Sequence, residues 1–243
     1  DDVVYSMRRA LTKDAKSLKR TFFSALSGVA QFWDGAAPDL AGVAAPDPRT
    51  VVMTLAYPYE AVLTVLALFV LWFFRDPERR IPTEEGAVVA PGEGRVIVVE
   101  EAQEPTYLRG ACRKISIFLS VFDIHVQRAP VAGRVEHRVY RPGTYAVAWL
   151  DKASDDNEQA SLGLATPHGK VLVRQIAGLV ARRIITYPLE GQDVGRGERI
   201  GIIRFGSRVD LFIPLEWEVT CAVGDRAVGG LTILARQRKG GVR

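Results

Sequence analysis

The chain has 243 residues, 48% apolar and 25% charged, with a formal net charge of +4. That length can bury a core of one or two domains, and the composition excludes a disordered tail, a coiled coil and a low-complexity chain. The modest basic excess suits contact with an anionic lipid, a nucleic acid or an acidic metabolite, without choosing among them.

Two cysteines, Cys112 and Cys221, lack CxxC spacing and read as buried free thiols in apolar, strand-like surroundings, in a reducing, cytosol-facing location. Three histidines without HxxxH or HExxH spacing offer no metal-site pattern, so no metal is expected.

Three zones follow in chain order. In residues 1–49 the apolar residues Leu11, Ala15, Leu18, Phe22, Leu26 and Val29 recur at helical spacing. Arg8, Arg9, Lys13, Lys16, Lys19 and Arg20 crowd the other faces. This basic amphipathic segment reads as a membrane-surface helix, or as an ordinary surface helix packed on the core. No small-residue cleavage site follows an apolar stretch, so a secretory signal is not expected.

Residues 50–82 hold an apolar run and a basic flank. Ala61 to Phe74 is cleanly apolar, but at about 1.5 Å per residue it falls short of the ~30 Å hydrocarbon core. Reaching back to Val51 gives the length, with Pro58 and Glu60 interrupting it. Full spanning and shallow insertion both stay open, as does a buried core helix. Trp72, Phe73 and Phe74 beside Arg75, Arg79 and Arg80 have the character of an aromatic belt meeting a cytoplasmic basic flank.

Residues 83–243 read as mainly β. Alternating or β-branched runs at 87–101, 114–122, 133–140, 171–176, 200–205, 208–214 and 231–236 are separated by Gly-, Pro- and Asp-rich turns. That predicts a compact barrel or sandwich-hybrid domain, preceded by N-terminal membrane-associated helices. Residues 177–187 are a helix candidate whose β-branched end reads equally as strand. Two turns, Gly94-Arg95-Val96 and Gly133-Arg134-Val135, resemble each other.

The chemistry centres on Gly206-Ser207 in residues 202–214 (IIRFGSRVDLFIP). Glycine before serine permits a strained backbone with the hydroxyl near the preceding carbonyl, though alone such a pair is a plain turn. Its companions are residues 118–135 (FLSVFDIHVQRAPVAGRV) and 75–82 (RDPERRIP), with further matches at 90–96 (APGEGRV), 157–162 (NEQASL) and 166–184 (TPHGKVLVRQIAGLVARRI). In this order they resemble the phosphatidylserine decarboxylase family, in its short bacterial and archaeal-like branch, over roughly residues 70–236.

The resemblance implies a pyruvoyl-dependent lyase of phospholipid biosynthesis, made as a zymogen at the cytoplasmic face of the cell membrane. Autocatalytic cleavage between Gly206 and Ser207 would yield a large subunit, 1–206, and a small subunit, 207–243, that begins with a pyruvoyl group derived from Ser207. That ketone condenses with the substrate amine and acts as electron sink for loss of CO₂. His125, in Asp123-Ile124-His125, takes the acid/base role. Longer members carry a second histidine where this chain has Arg128, and a triad aspartate where it has Glu93; one extra methylene matters to an orienting group. Maturation could therefore be slow, differently organised or absent.

His168 also matches the family pattern and, with Arg128, is a substrate-binding candidate; Arg182 and Arg183 are further headgroup candidates. The expected partners are the phospholipid and its membrane, the two subunits and a second copy in a homodimer, with no nucleic acid. A pyruvoyl decarboxylase of a soluble amino acid and a non-maturing membrane scaffold are the alternatives.

Overall fold

The computed structural model describes residues 4, 23–24, 26–47, 50–56, 60–143, 157–178, 184–203 and 207–238. The chain divides into two compact units, Asp1–Trp72 and Phe73–Arg243.

In the first unit, α1 (Val29–Trp33) precedes a hairpin of β1 (Val43–Asp47) and β2 (Thr50–Met53). Val4, Leu26, Val29, Leu40 and Val43 form its small core. The helix α2 (Glu60–Phe73) follows. The expected N-terminal membrane helices need correcting here. An apolar helix reaching back to Val51 does not form, because Thr50-Val51-Val52 is β-branched and takes the strand state. At 14 residues, α2 is about 21 Å long, and among the described residues no helix is long and apolar enough to cross a membrane. Most of the amphipathic stretch 6–33 lies outside the described residues. α2 does expose Val65, Leu66, Leu68, Val70, Leu71 and Trp72, with Leu71 at 71%.

The second unit is β throughout its described residues after α2 ends at Phe73. Its elements are β3 (Ala87–Val89), β4 (Gly94–Glu104), β5 (Gly110–Leu119), β6 (Val126–Arg128), β7 (Gly133–Arg141), β8 (Gln159–Thr166), β9 (Gly169–Ala177), β10 (Ile184–Thr186), β11 (Asp193–Val194), β12 (Arg199–Ile203), β13 (Ser207–Ile213), β14 (Glu218–Val219), β15 (Arg226–Ala227) and β16 (Ile233–Arg236). Eight of them form an antiparallel sheet in the order β11-β7-β8-β9-β13-β5-β4-β15, curled into a half-barrel. Two three-stranded sheets, β10-β12-β6 and β14-β16-β3, accompany it. One apolar core lies against one face of the sheet, with Ile115, Ile117, Leu119, Leu162, Leu164, Val171, Val173, Val209 and Leu211 all buried. Alternation along each strand places these residues on one face.

The two G-R-V turns occupy matching places. Gly94 opens β4 and Gly133 opens β7, on the two flanks of the sheet. Each pairing slips by one residue just after the valine, between Val96 and Val98 and between Val135 and His137. A Cβ at Gly94 would run into Phe118 O, and one at Gly133 would lie 2.6 Å from Ala165 O. Glycine is required at both because the neighbouring backbone comes too close for a side chain.

β8 has no counterpart among the expected strands. Its sequence, QASLGLAT, is built of small residues with low strand propensity. Gly163 in its middle lies under the Tyr107 ring, which a Cβ would approach to 2.7 Å. Of the helix candidate at 177–187, residues 184–186 are strand β10, and 179–183 lie outside the described residues. Cys112 is a buried thiol in β5, whereas Cys221 is only half-buried and outside any strand.

Candidate active site

β13 is the central strand of the domain, paired with β5 on one side and β9 on the other, and all seven of its residues are buried. Ser207 is its first residue, opposite Leu119 and Ala177. Those neighbours belong to the core face, so the Ser207 side chain points inward. It is fully buried, and its Oγ has no hydrogen-bond partner among the described residues. A buried hydroxyl left unpaired costs about 1–3 kcal/mol, and such exceptions in a folded chain mark strained or reactive sites. Gly206, with Arg204 and Phe205, lies outside the described residues.

His125 comes from the loop that continues β5 beyond Leu119. The two strand ends run side by side: Leu119 faces Ser207 in one sheet, while Val126 faces Ile202 in another. Thus the segment 120–125 and the segment leading to Ser207 both join the same pair of sheets. Ser120 N–H donates to Asp123 Oδ2 at 2.7 Å, closing the turn. Asp123 O in turn lies 2.8 Å from His125 Nδ1. A carbonyl can only accept, so Nδ1 carries the hydrogen and the lone pair of the neutral ring sits on Nε2. The ring packs 4.4 Å from that of Phe73, between centroids, and the residue is 1% exposed. Burial pushes the imidazole down to about 4, with Arg75 adding to the effect and the Asp123 carbonyl and charge opposing it. At neutral pH His125 is therefore an uncharged base.

Glu93 sits in the turn 90–96, which packs on the same strands. A Cβ on the preceding Gly92 would touch Leu119 and Val209, each at 3.5 Å. The Glu93 carboxylate is gripped by two arginines, Arg79 at 2.7 Å and Arg226 at 3.6 Å. Arg226 also bonds Asp123 Oδ1 at 2.6 Å. Glu93 is thereby linked through Arg226 to the residue whose carbonyl holds the His125 ring.

Arg128, at the second-histidine place, is buried, and its side-chain hydrogen bonds go to other residues. Its guanidinium bonds Asp76 at 2.6 Å and Gly197 O at 3.0 Å. Asp76 pairs with Arg199 as well. These bonds strap the basic flank 75–82 to β6 and β12. His168 lies elsewhere. It is in the turn between β8 and β9, exposed, with its N–H on Thr166 Oγ1. β9 runs nine residues from there to Ala177, the residue opposite Ser207, a distance of about 30 Å at the strand rise. His168 instead lines a cavity of about 360 Å³ with Glu85, Thr166, Arg196 and Gln237. Arg182 and Arg183 lie outside the described residues. Among the described residues no group of three His, Cys, Asp or Glu side chains could hold a metal ion.

Sequence reasoning missed Phe73, Arg226 and two buried glutamines, Gln127 and Gln175. None of them left a signal of its own: Phe73 reads as part of an apolar run, and Arg226, Gln127 and Gln175 each sit beside a charged residue.

A profile of the phosphatidylserine decarboxylase family matches residues 66–235. Curated relatives include three named phosphatidylserine decarboxylase proenzyme. The protein of Symbiobacterium thermophilum is 53% identical over 177 residues, covering 72% of this chain and 82% of its own. That of Salinibacter ruber is 50% identical, covering 69% and 75%. That of Azorhizobium caulinodans is 49% identical, covering 70% and 74%. The matched stretch takes in the Ser207 strand, the His125 loop and the Glu93 turn, and the chain belongs to the phosphatidylserine decarboxylase family.

Proposed function

We infer that this chain is a proenzyme that cuts itself between Gly206 and Ser207 and then converts phosphatidylserine to phosphatidylethanolamine at a membrane surface. The observation that carries the reading is the Ser207 hydroxyl: fully buried, without a partner among the described residues, at the head of the central strand. Family membership supports it.

In the cleavage step Ser207 Oγ attacks the Gly206 carbonyl carbon, and the peptide bond gives way to an ester as the amide nitrogen takes a proton. His125, neutral and with its lone pair on Nε2, is the base for the hydroxyl proton. Loss of the Ser207 Cα proton then expels Gly206 as a carboxylate and leaves a dehydroalanine. Addition of water and departure of ammonia convert it to a pyruvoyl group. The buried oxygen at Ser207, unpartnered among the described residues, fits that group. When present, it supplies an electron sink for the pair left behind as the substrate carboxylate departs as CO₂. The chain's own residues do the rest. His125 carries the proton that replaces CO₂ on the substrate carbon, Asp123 holds its ring, and Phe73 covers it. Glu93 fixes Arg226, and through it Asp123, and so takes an orienting part.

Cleavage need not release the small fragment, because β13 is hydrogen-bonded on both sides to strands of the large one. For the membrane, the exposed apolar side chains of α2, on a helix too short to span, support shallow insertion.

Intact-mass measurement tests the reading. The wild type is expected to yield fragments 1–206 and 207–243, the second blocked by pyruvoyl, and Ser207→Ala to stay one chain. A wild type that stays whole on prolonged incubation overturns the proposal. Release of CO₂ from phosphatidylserine in detergent micelles but not from free serine assigns the lipid substrate, and the reverse result assigns a soluble one.

A further inference from the structure

Two glutamines are buried in strands of the second unit, and the chemistry above uses neither. Gln127 in β6 is 0% exposed and Gln175 in β9 is 1% exposed. Strand alternation puts Gln175 on the same face as Val171 and Val173, in the core. A buried amide without partners is costly, so their hydrogen bonds must be accounted for. They form one chain. Thr186 Oγ1 donates to Gln175 Oε1 at 2.9 Å. Gln175 Nε2 donates to Gln127 Oε1 at 2.9 Å. Gln127 Nε2 donates to the His125 carbonyl at 2.7 Å.

The direction of this chain is set from one end. The His125 carbonyl can only accept, so the NH₂ of Gln127 must face it. The oxygen of Gln127 then faces Gln175, whose NH₂ must face back. The oxygen of Gln175 is left for the Thr186 hydroxyl to donate to. Every link agrees, and flipping either amide would set oxygen against oxygen. Gly201 makes room for the crossing, since a Cβ there would lie 2.6 Å from Gln175 Nε2. The same carbonyl also accepts Ile203 N–H at 3.3 Å. Strands of both sheets are thus tied to one peptide group, that of His125.

Two apolar side chains could fill this space with less desolvation. What they could not supply is a directional hold on one carbonyl. We propose that Gln127 and Gln175 are positioning residues, forming an amide relay from Thr186 that fixes the His125 peptide and so aims its imidazole at the Ser207 site. The proposal rests on His125 being the base of the proposed function.

The test uses the full chain with Gln127→Met, Gln175→Met and Thr186→Val, and Thr186→Ser as the conservative control. Asp123 and Arg75, the charged groups acting on His125, stay in place in all of them. One readout needs no activity: NMR titration of the His125 ring in the uncleaved Ser207→Ala background. With the relay intact the ring titrates near 4, as its burial requires. In Gln127→Met it is expected to move up towards the ordinary histidine value as the ring loosens. The second readout is cleavage rate and, for cleaved enzyme, kcat and KM. Gln127→Met is expected to slow both reactions at least about tenfold, or ~1.4 kcal/mol of barrier, with KM little changed. Gln175→Met should lose less, Thr186→Val least, and Thr186→Ser nothing.

A folded Gln127→Met whose histidine titration and rates match the wild type overturns the relay. If Gln127→Met does not fold, Thr186→Val decides: slower cleavage at unchanged KM upholds the relay, and a wild-type rate overturns it. A wild type that never cleaves overturns the proposed function, while the titration in Ser207→Ala still decides the relay.

Discussion

At one end of the central strands β9 and β13, Ala177, Ser207 and Leu119 meet with no exposure to solvent. At the other end of β9, the turn into it presents His168 to water. Both ends lie within the stretch that matches the family, and each brings a histidine: His125 precedes β6, and His168 caps the far hairpin. The difference is one of surroundings. His125 is enclosed, its ring anchored to a carbonyl and pressed on Phe73, and burial leaves it uncharged at neutral pH. His168 has solvent for a neighbour and about 30 Å of strand between it and the serine. A shared motif locates a residue on the fold, but its distance from the nucleophile and its burial decide what it can do.

The contrast can be broken or sharpened at four points. His125→Gln removes the base and is expected to slow cleavage by about 10²–10⁴-fold, followed by gel densitometry of the two fragments over time. A rate close to wild type would move the proton transfer to another group. Glu93→Gln keeps the shape of the turn while removing the charge shared by Arg79 and Arg226. About a tenfold loss of cleavage rate is expected from a displaced Asp123 loop, with Glu93→Asp in between. A wild-type rate in both variants would make Glu93 a purely structural anchor.

The third point is pH. The folded His125 binds its proton only near 4, whereas the unfolded chain binds it near 6.5. Above pH 6.5 the group is neutral in both states and stability does not depend on it. As pH falls below 6.5 the unfolded chain takes up the proton first, so folding stability drops until about pH 4. Between pH 7.5 and pH 5 the loss is about 2 kcal/mol, measured by urea unfolding of the uncleaved Ser207→Ala chain. His125→Gln in that background should lack this part of the pH dependence. The smallest effect is reserved for the other end: His168→Ala should leave cleavage and turnover within about twofold of the wild type, as surface changes remote from a site usually do. A tenfold loss would carry the substrate pocket along β9 and erase the distinction between the two ends.

Much of the strand layout is legible in the sequence, because alternation and β-branching act over a few residues and need no knowledge of partners. The runs containing Ile115, Val135, Val171 and Leu211 read correctly for that reason. β8 was hidden because QASLGLAT is small and nearly featureless, its Gly163 being set by a Tyr107 ring that approaches from far along the chain. Whether the apolar run reached back to Val51 was left open by the sequence, and β-branched Thr50, Val51 and Val52 form a hairpin strand instead. α2 itself was visible as an apolar run.

For the candidate site, Ser207, Asp123 and His125 stood out only through the resemblance of several ordered motifs to one family, since a Gly-Ser pair alone reads as a turn. The register of β13 between β5 and β9 was needed to show that the serine faces a closed core. Partners far apart in the chain decided the remaining roles. Arg226 meets Asp123 across 103 positions, and Arg128 meets Asp76 across 52. Gln127 and Gln175, 48 positions apart, join in one hydrogen-bonded chain. Periodicity reports which face a residue takes and nothing about what waits there. Strand pairing brings distant charges and amides within about 3 Å of each other, and burial with those contacts leaves His125 a held, uncharged ring.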